Sequence, residues 1–326
     1  KEPSEQALTA RATIVCLSAN PAMDRRLRVA ALRPGEINRV SAVEGMPGGK
    51  ASHVALAAHA LGARAVWIGL AGGAIGQECV RGLRDLGIEA IAVPTAAATR
   101  VNLEIIEDSG RITEILEPGS VPAADERERM LRSCSDALAA AGARSVVAIS
   151  GSLPAGTPPE FCAELVKCGR SRGNLTLLDS SGAALGIALG AGPDLVKPNR
   201  AEVEALLGRK LSGVPELLDA ARELVARGAR SAAITIGADG IVWLEHAQGP
   251  MWQARPPQVQ AISTVGCGDA TLAGFACAYA QGLTGEAAIR LAAAAGAANC
   301  IAPLPGRISL GSVESFAPRI DVQRLA

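Results

Sequence analysis

Apolar residues along this 326-residue chain form short runs that alternate with longer stretches of helical spacing. Thr13–Ser18, Ala65–Leu70, Ala90–Val93, Ser145–Ile149, Thr176–Leu178, Leu195–Val196 and Ala232–Ile236 are short and apolar, and each predicts a buried strand. Amphipathic patterns lie between them. Ser52–Leu61 ends at Gly62 and Gly76–Leu86 closes at Gly87, where a glycine can turn the chain out of a helix. The last third reads mostly as helix, over Asp269–Ala280 and Gly285–Cys300. Such alternation predicts an α/β protein: a mostly parallel central sheet covered by helices on both faces.

Two segments depart from this rhythm. Residues 25–43 and 99–116 alternate apolar and polar positions, as half-exposed strands do, and Ser109-Gly110 marks a turn within the second. Together they predict a small antiparallel sheet outside the main layer, placed as a lid. No repeat, low-complexity tract or flexible linker divides the chain. The expectation is one domain over 1–326, with lid strands inserted at about 25–43 and 99–116.

Composition narrows the function. Lys+Arg and Asp+Glu balance at 32 each, and aromatics make up 2%, so the chain has neither the basic footprint nor the stacking surface of a nucleic-acid binder. Its eight cysteines form no C-x-x-C pair and have no histidine cluster beside them. That spacing predicts reduced thiols in a cytoplasmic protein rather than a disulfide framework or a metal site. The N-terminal Lys1–Arg11 lacks the apolar core of a signal peptide. Apolar stretches are broken well before the roughly 20 residues that span a bilayer, so no membrane partner is expected.

Four motifs carry chemistry. In Ser263-Thr264-Val265-Gly266-Cys267-Gly268-Asp269, two glycines let the backbone turn tightly into a helix. Amide N–H groups and the positive end of the helix then face one point, which suits a phosphate. Asp269 beside it can take a proton from an attacking hydroxyl or can simply cap the helix, and the motif leaves both open. Cys267 at the helix start is expected to be a stabilised thiolate and a target for alkylation. Gly48-Gly49-Lys50 opens another helix but fails the P-loop pattern at Glu44 and Ala51, and Gly69–Gly76 misses the dinucleotide fingerprint at Ala71. In Lys197-Pro198-Asn199-Arg200-Ala201-Glu202, Asn199 and Glu202 read equally as a capping box or as contacts to a hydrated Mg²⁺ and phosphate. Thr235-Ile236-Gly237-Ala238-Asp239-Gly240 reads by itself as a hairpin.

The order of motifs is more specific than any one of them. Asn20-Pro21-Ala22-Met23-Asp24 is followed by the Gly-Gly-Lys helix start, Thr99-Arg100-Val101-Asn102 and Thr113–Gly119. Ser150-Gly151-Ser152-Leu153-Pro154, Asp179-Ser180-Ser181-Gly182 and the three C-terminal motifs come next. Over nearly the whole chain this series resembles the PfkB, or ribokinase-like, carbohydrate kinases. Within them it most resembles the branch of 1-phosphofructokinase, tagatose-6-phosphate kinase and the minor 6-phosphofructokinase.

The resemblance implies a ribokinase-like three-layer α/β/α sandwich with a small β-sheet lid. It implies ATP and Mg²⁺ as cofactors and a carbohydrate as the small-molecule partner. Gly266, Cys267 and Gly268 would form the anion hole, with Asp269 as base. Asn199 and Glu202 would organise Mg²⁺ and the nucleotide phosphates, Glu202 through water, with Lys197 near. Thr235, Gly237 and Gly240 would line the nucleotide cleft, and Asn299 would lie near the adenine. Asp24 would hold sugar hydroxyls, with Gly48, Gly49, Lys50, His53 and Asn102 around it and Gly151 and Ser152 on the floor. Arg100 matches the residue that binds the phosphate already on the acceptor, with Arg39 and Lys50 as secondary candidates. Lid strands of the family often pair between subunits, which implies a homodimer.

Two residues depart from the family pattern. His53 stands in place of an Asn that touches sugar hydroxyls, and Cys267 in place of the usual Ala of the anion hole. The first leaves open a second acceptor class: a nonphosphorylated sugar, a sugar-like natural product or a nucleoside. A catalytically idle regulator is the remaining alternative, and the presence of Asp269, Glu202 and the glycines argues against it.

Overall fold

The computed structural model describes residues 12–142 and 145–325. Strand β1 (Thr13–Ser18) leaves the middle of a large sheet and passes into β2 (Ala22–Val29) and β3 (Ala42–Gly48) of a smaller one. Helix α1 (Lys50–Ala60) leads back to β4 (Arg64–Ala71), α2 (Gly73–Asp85) and β5 (Glu89–Pro94) at the edge of the large sheet. The chain crosses again for β6 (Arg100–Glu107) and β7 (Ile112–Leu116). Then come α3 (Ala124–Ala141), β8 (Val146–Ser150), α4 (Glu160–Arg170), β9 (Leu175–Asp179) and α5 (Gly182–Leu189). They are followed by β10 (Leu195–Val196), α6 (Arg200–Leu207), α7 (Val214–Ala226) and β11 (Ala232–Thr235). Strands β12 (Ile241–Leu244) and β13 (Met251–Arg255) precede α8 (Cys267–Ala280), α9 (Gly285–Cys300), α10 (Leu310–Phe316) and β14 (Asp321–Arg324).

The large sheet has the order β14-β13-β12-β11-β10-β9-β8-β1-β4-β5. It is parallel from β11 to β5 and antiparallel at β12, β13 and β14. Each strand alternates its side chains between two cores, as a pleated strand must. Ile14 and Cys16 face a core shared with α1, α8 and α9, while Val15 and Leu17 face one shared with α3, α4 and α7. Helices therefore cover both faces, and each fully buried Leu, Val or Phe contributes about 1.5–3 kcal/mol. Helices α8 and α9 pack closely because they are built of small residues: a Cβ on Gly274 would stand 2.6 Å from Ala292 Cα.

The small sheet has the order β3-β2-β6-β7. Its outer pairs are antiparallel as expected, but its central pair, β2 with β6, is parallel. Both strands start just beyond the carboxyl ends of parallel strands, β1 and β5, so both leave the large sheet in the same direction. The boundaries also move. Strand β2 begins at Ala22 rather than Arg25, and residues 30–41 form a connection instead of continuing the strand. Strands β13 and β14 extend the sheet where the apolar pattern foretold no strand.

Candidate active site

Parallel α/β sheets collect ligands beyond the carboxyl ends of their strands, because the loops there converge and the helix N-termini point inward. In this molecule Gly151 follows β8, Asp179 ends β9, Lys197 follows β10 and Gly237 follows β11. The small sheet lies across the same end. Between the two is a cavity of about 900 Å³, lined by residues of nearly every motif.

At one end of the cavity, glycine geometry builds the turn into α8. Gly266 is the residue before the helix, with φ +80, and a Cβ there would stand 2.9 Å from Pro305 Cβ. Only glycine meets both demands cheaply. A helix start leaves its first N–H groups without partners inside the helix. Of these, Cys267 N–H donates to Thr264 O at 3.3 Å, which closes the turn. Gly268 leaves room for a cation: Lys197 Nζ sits 3.3 Å from where a Cβ would be. Lys197 is buried, and its ammonium meets Asp179 Oδ2 at 2.7 Å. Lys50 Nζ reaches Asp179 Oδ1 at 3.1 Å and Glu202 Oε1 at 3.5 Å. Burial opposes the charge on Asp179, but the Lys197 and Lys50 ammoniums outweigh it and hold the carboxyl below its usual range. Asp179 is thus a central charge of the site that sequence reasoning missed. Its only advance sign was the Asp-Ser-Ser-Gly run at the end of a strand.

At the other end, the register of the small sheet pairs Asp24 with Asn102 and Arg26 with Glu104. Asn102 Nδ2 donates to Asp24 Oδ1 at 2.9 Å. Arg26 Nε donates to Glu104 Oε2 at 2.9 Å, and Arg26 Nη1 to Pro303 O at 2.8 Å, tying the sheet to the turn after α9. Gly48 does not line the cavity. It makes room for Asp24, whose carboxylate a Cβ at that position would overlap. Arg100 lines the mouth and donates to the carbonyls of Glu117 at 2.6 Å and Asn20 at 3.2 Å. A guanidinium has five N–H donors, so several remain for a ligand. Arg39 sits exposed in the connection after β2 and does not line the cavity, which removes it as a phosphate ligand.

His53 joins the two ends. It is buried on α1, with Nδ1 3.0 Å from Asp269 Oδ2 and Nε2 3.4 Å from Asp24 Oδ2, the latter an ion-pair distance without hydrogen-bond alignment. Burial favours the neutral ring, but the close contacts and charges of Asp24 and Asp269 outweigh it and push its pKa up to about 10. His53 is therefore an imidazolium between two carboxylates. Asp269, the third residue of α8, is not spent on capping the helix; its Oδ2 meets His53 and its carboxylate lines the cavity.

Two more expectations change, and a third is met. Asn299 is buried outside the cavity lining, and its amide is spent on the chain itself: Nδ2 donates to Val265 O at 2.7 Å and Oδ1 accepts from Gly306 N–H at 2.8 Å. It braces the turn before α8 and has no free group for an adenine. Cys267 is not an isolated thiol at a helix start, since its sulfur meets that of Cys300. Its contact with Cys300, at Sγ–Sγ 3.2 Å, and its burial push its pKa up, and the same contact lowers Cys300 to about 7. Asn199 and Glu202 form the full capping box: Asn199 Oδ1 accepts from Glu202 N–H at 2.9 Å and Asn199 N–H donates to Glu202 Oε2 at 2.8 Å. Glu202 still lines the cavity beside Lys50, so capping and ligand contact are compatible. The Thr235–Gly240 segment is the expected hairpin, a single 3₁₀ turn between β11 and β12, and it too lines the cavity. Gly69–Gly76 does not: Gly72 and Gly76 pack closely against Thr95–Thr99 and Ala71.

Comparison with known proteins agrees with this layout. Residues 12–306 match the family described as pfkB family carbohydrate kinase. The 1-phosphofructokinase of Rhodobacter capsulatus is 36% identical over 315 residues, which is 96% of this chain and 94% of that protein. The 1-phosphofructokinase of Escherichia coli K12 is 31% identical over 314 residues, covering 95% and 98% of the two chains. Among solved structures, the tetrameric inhibited form of phosphofructokinase-2 from Escherichia coli superposes with a TM-score of 0.86 at 29% identity, over 95% of this chain and 99% of that one. The chain belongs to the pfkB family of carbohydrate kinases, with the ribokinase-like α/β fold of that family and its phosphotransferase activity toward an alcohol group.

Proposed function

We propose that this kinase transfers the γ-phosphoryl group of ATP to a hydroxyl of a hexose phosphate, and that it does so as one catalytic unit with the small sheet as lid. The observation that carries the reading is Asp269. It stands where a phosphate-binding helix start meets, through His53, the Asp24–Asn102 pair of the lid. Hydroxyl groups of a sugar suit that pair, which offers a carboxylate and an amide side by side. Asp269 takes the proton of the attacking hydroxyl, and the N–H groups of Gly266 and Gly268 face the charge that develops on the transferring group, with Cys267 holding the turn between them. Lys197 and Lys50 add positive charge on the same side.

Mg²⁺ fits the residues present in an indirect way. Among the described residues there is no group of three or more His, Cys, Asp or Glu side chains that could hold a metal. Mg²⁺ commonly keeps its waters and is held by one or two carboxylates plus substrate phosphates. Glu202, with one oxygen spent on the cap and the other toward the cavity, suits a contact through water. When bound, the ion neutralises charge on the nucleotide phosphates. Thr235, Gly237 and Gly240 line the nucleotide side of the cleft, and Gly49, Gly151 and Ser152 the floor of the acceptor side.

Arg100 supports a phosphorylated acceptor, because it lines the cavity near Asp24 and Asn102 with N–H donors beyond those spent on Glu117 and Asn20. His53 favours the second reading less than its sequence position implies. Both of its nitrogens face carboxylates, so it does not offer the acceptor the donor and acceptor pair of an Asn. The test is ADP release with fructose 1-phosphate, fructose 6-phosphate, tagatose 6-phosphate, free hexoses, oligosaccharides and nucleosides. Turnover is expected with a hexose phosphate, and Arg100→Ala should raise its KM about ten-fold or more, the loss of a charge-assisted bond. Turnover confined to uncharged acceptors, with Arg100→Ala silent, overturns the reading. The lid presents Val43 and Ile115 exposed on the face away from the cavity, which supports pairing of lids in a homodimer. Among the described residues no helix is long and apolar enough to cross a membrane.

A further inference from the structure

Cys267 opens α8 beside the phosphate turn, and Cys300 ends α9. Their sulfurs stand 3.2 Å apart, both residues are half-buried, and both line the cavity. The frame around them is already tied. Ile262 and Ser263 N–H donate to Cys300 O at 2.7 and 3.3 Å, and Asn299 Nδ2 reaches Cys267 Sγ at 3.4 Å. The contact and burial raise Cys267, while the same contact lowers Cys300, so Cys300 is the readier of the two to ionise. Phosphoryl transfer as described above uses neither sulfur.

We propose that Cys267 and Cys300 are an oxidisable thiol pair, a modification site that takes a peroxide and, once closed, disables the phosphate turn. The consequence for turnover rests on the kinase reading; the pair itself does not. The Cys300 thiolate attacks one oxygen of hydrogen peroxide. The O–O bond breaks, Cys300 becomes a sulfenic acid, and hydroxide leaves and takes up a proton as water. The Cys267 sulfur, giving up its proton, then attacks the Cys300 sulfur. The S–S bond forms, the S–O bond breaks and a second water leaves. Two thiols and one peroxide thus give one disulfide and two waters, each sulfur losing one electron and the peroxide gaining two. A disulfide bond is about 2.05 Å long, so the sulfurs must draw together by roughly 1 Å. Cys267 is the first residue of α8 and its N–H belongs to the turn, so the anion donors move with it. A misplacement of about 1 Å can cost on the order of 10²-fold in rate.

The reduced full-length chain is treated with hydrogen peroxide at neutral pH and mapped by mass under non-reducing conditions, with ADP release measured before and after dithiothreitol. A Cys267–Cys300 link, a fall in turnover of about ten-fold or more, and recovery with dithiothreitol are expected, with ATP slowing the loss. Cys300→Ser should form no link and should lose its own starting activity about ten-fold more slowly. Cys168→Ser, which removes the separate contact of Cys168 with Cys134, should behave as the parent. Absence of the link, a link without loss of turnover, or equal inactivation of Cys300→Ser overturns the proposal. A reduced parent that turns over no acceptor refutes the kinase reading instead, and the link, scored by mass alone, still decides the thiol pair.

Discussion

Asp269 is where two roles of one side chain separate. An Asp near a helix start ordinarily caps it, but here Gly266 precedes the helix and the carboxylate meets His53 instead. Asp269→Asn should keep the fold and ATP binding, with some loss of thermal stability because His53 loses a charged partner, and should lower kcat by about 10²-fold or more. A kcat within a few-fold of the parent would mark the residue as structural. His53 carries a pH dependence of definite sign. Its ordinary pKa is about 6.5 in an unfolded chain, and the fold raises it to about 10. The folded state therefore binds the extra proton more tightly, and the stabilisation is fully present below about 6.5 and lost as pH rises through about 10. Urea unfolding at pH 6, 8 and 10 should show the parent losing stability over that window. His53→Asn should show a shallower decline; identical slopes would mean that the ring is neutral.

Helix α6 shows that a cap and a ligand contact share one residue. Glu202 closes the capping box with one oxygen and faces the cavity with the other. Gln can also close a capping box, so Glu202→Gln keeps the helix start and removes only the charge. Its melting temperature should stay near the parent's, while the Mg²⁺ concentration needed for half-maximal turnover at fixed ATP should rise several-fold. An unchanged Mg²⁺ titration would return the motif to a purely structural role. Elements of this kind were legible in advance because a strand, a turn residue and a helix period are local properties of the chain. The turns before α1, α6 and α8 all stand where their glycines or Asn place them. The charge role of Asp179 was not legible, since the Asp-Ser-Ser-Gly run at the strand end does not reveal its partners; Lys50 and Lys197 reach it from 129 residues before and 18 residues after.

Over the whole molecule, the small sheet decides how the site closes. One face carries Asp24, Arg26, Asn102 and Glu104 toward the cavity and the other leaves Val43 and Ile115 exposed. Exposed apolar patches commonly mark interfaces. Val43→Asp with Ile115→Asp should shift the sedimentation coefficient from that of a dimer to that of a monomer, with the far-UV spectrum unchanged; a parent already monomeric at micromolar concentration refutes lid pairing. Sequence by itself determined the alternation of strand and helix, the two-faced core, the glycine turns and the order of motifs that places the chain among the pfkB kinases. Each of these is written in nearest neighbours along the chain, where periodicity and backbone freedom act. Only the tertiary structure decided the parallel pairing of β2 with β6, the bracing role of Asn299, the Asp24–His53–Asp269 bridge and the contact of Cys267 with Cys300. Each of those depends on which distant side chain lies within about 4 Å, and at that range burial and Coulomb forces rather than local propensity set charge and contact.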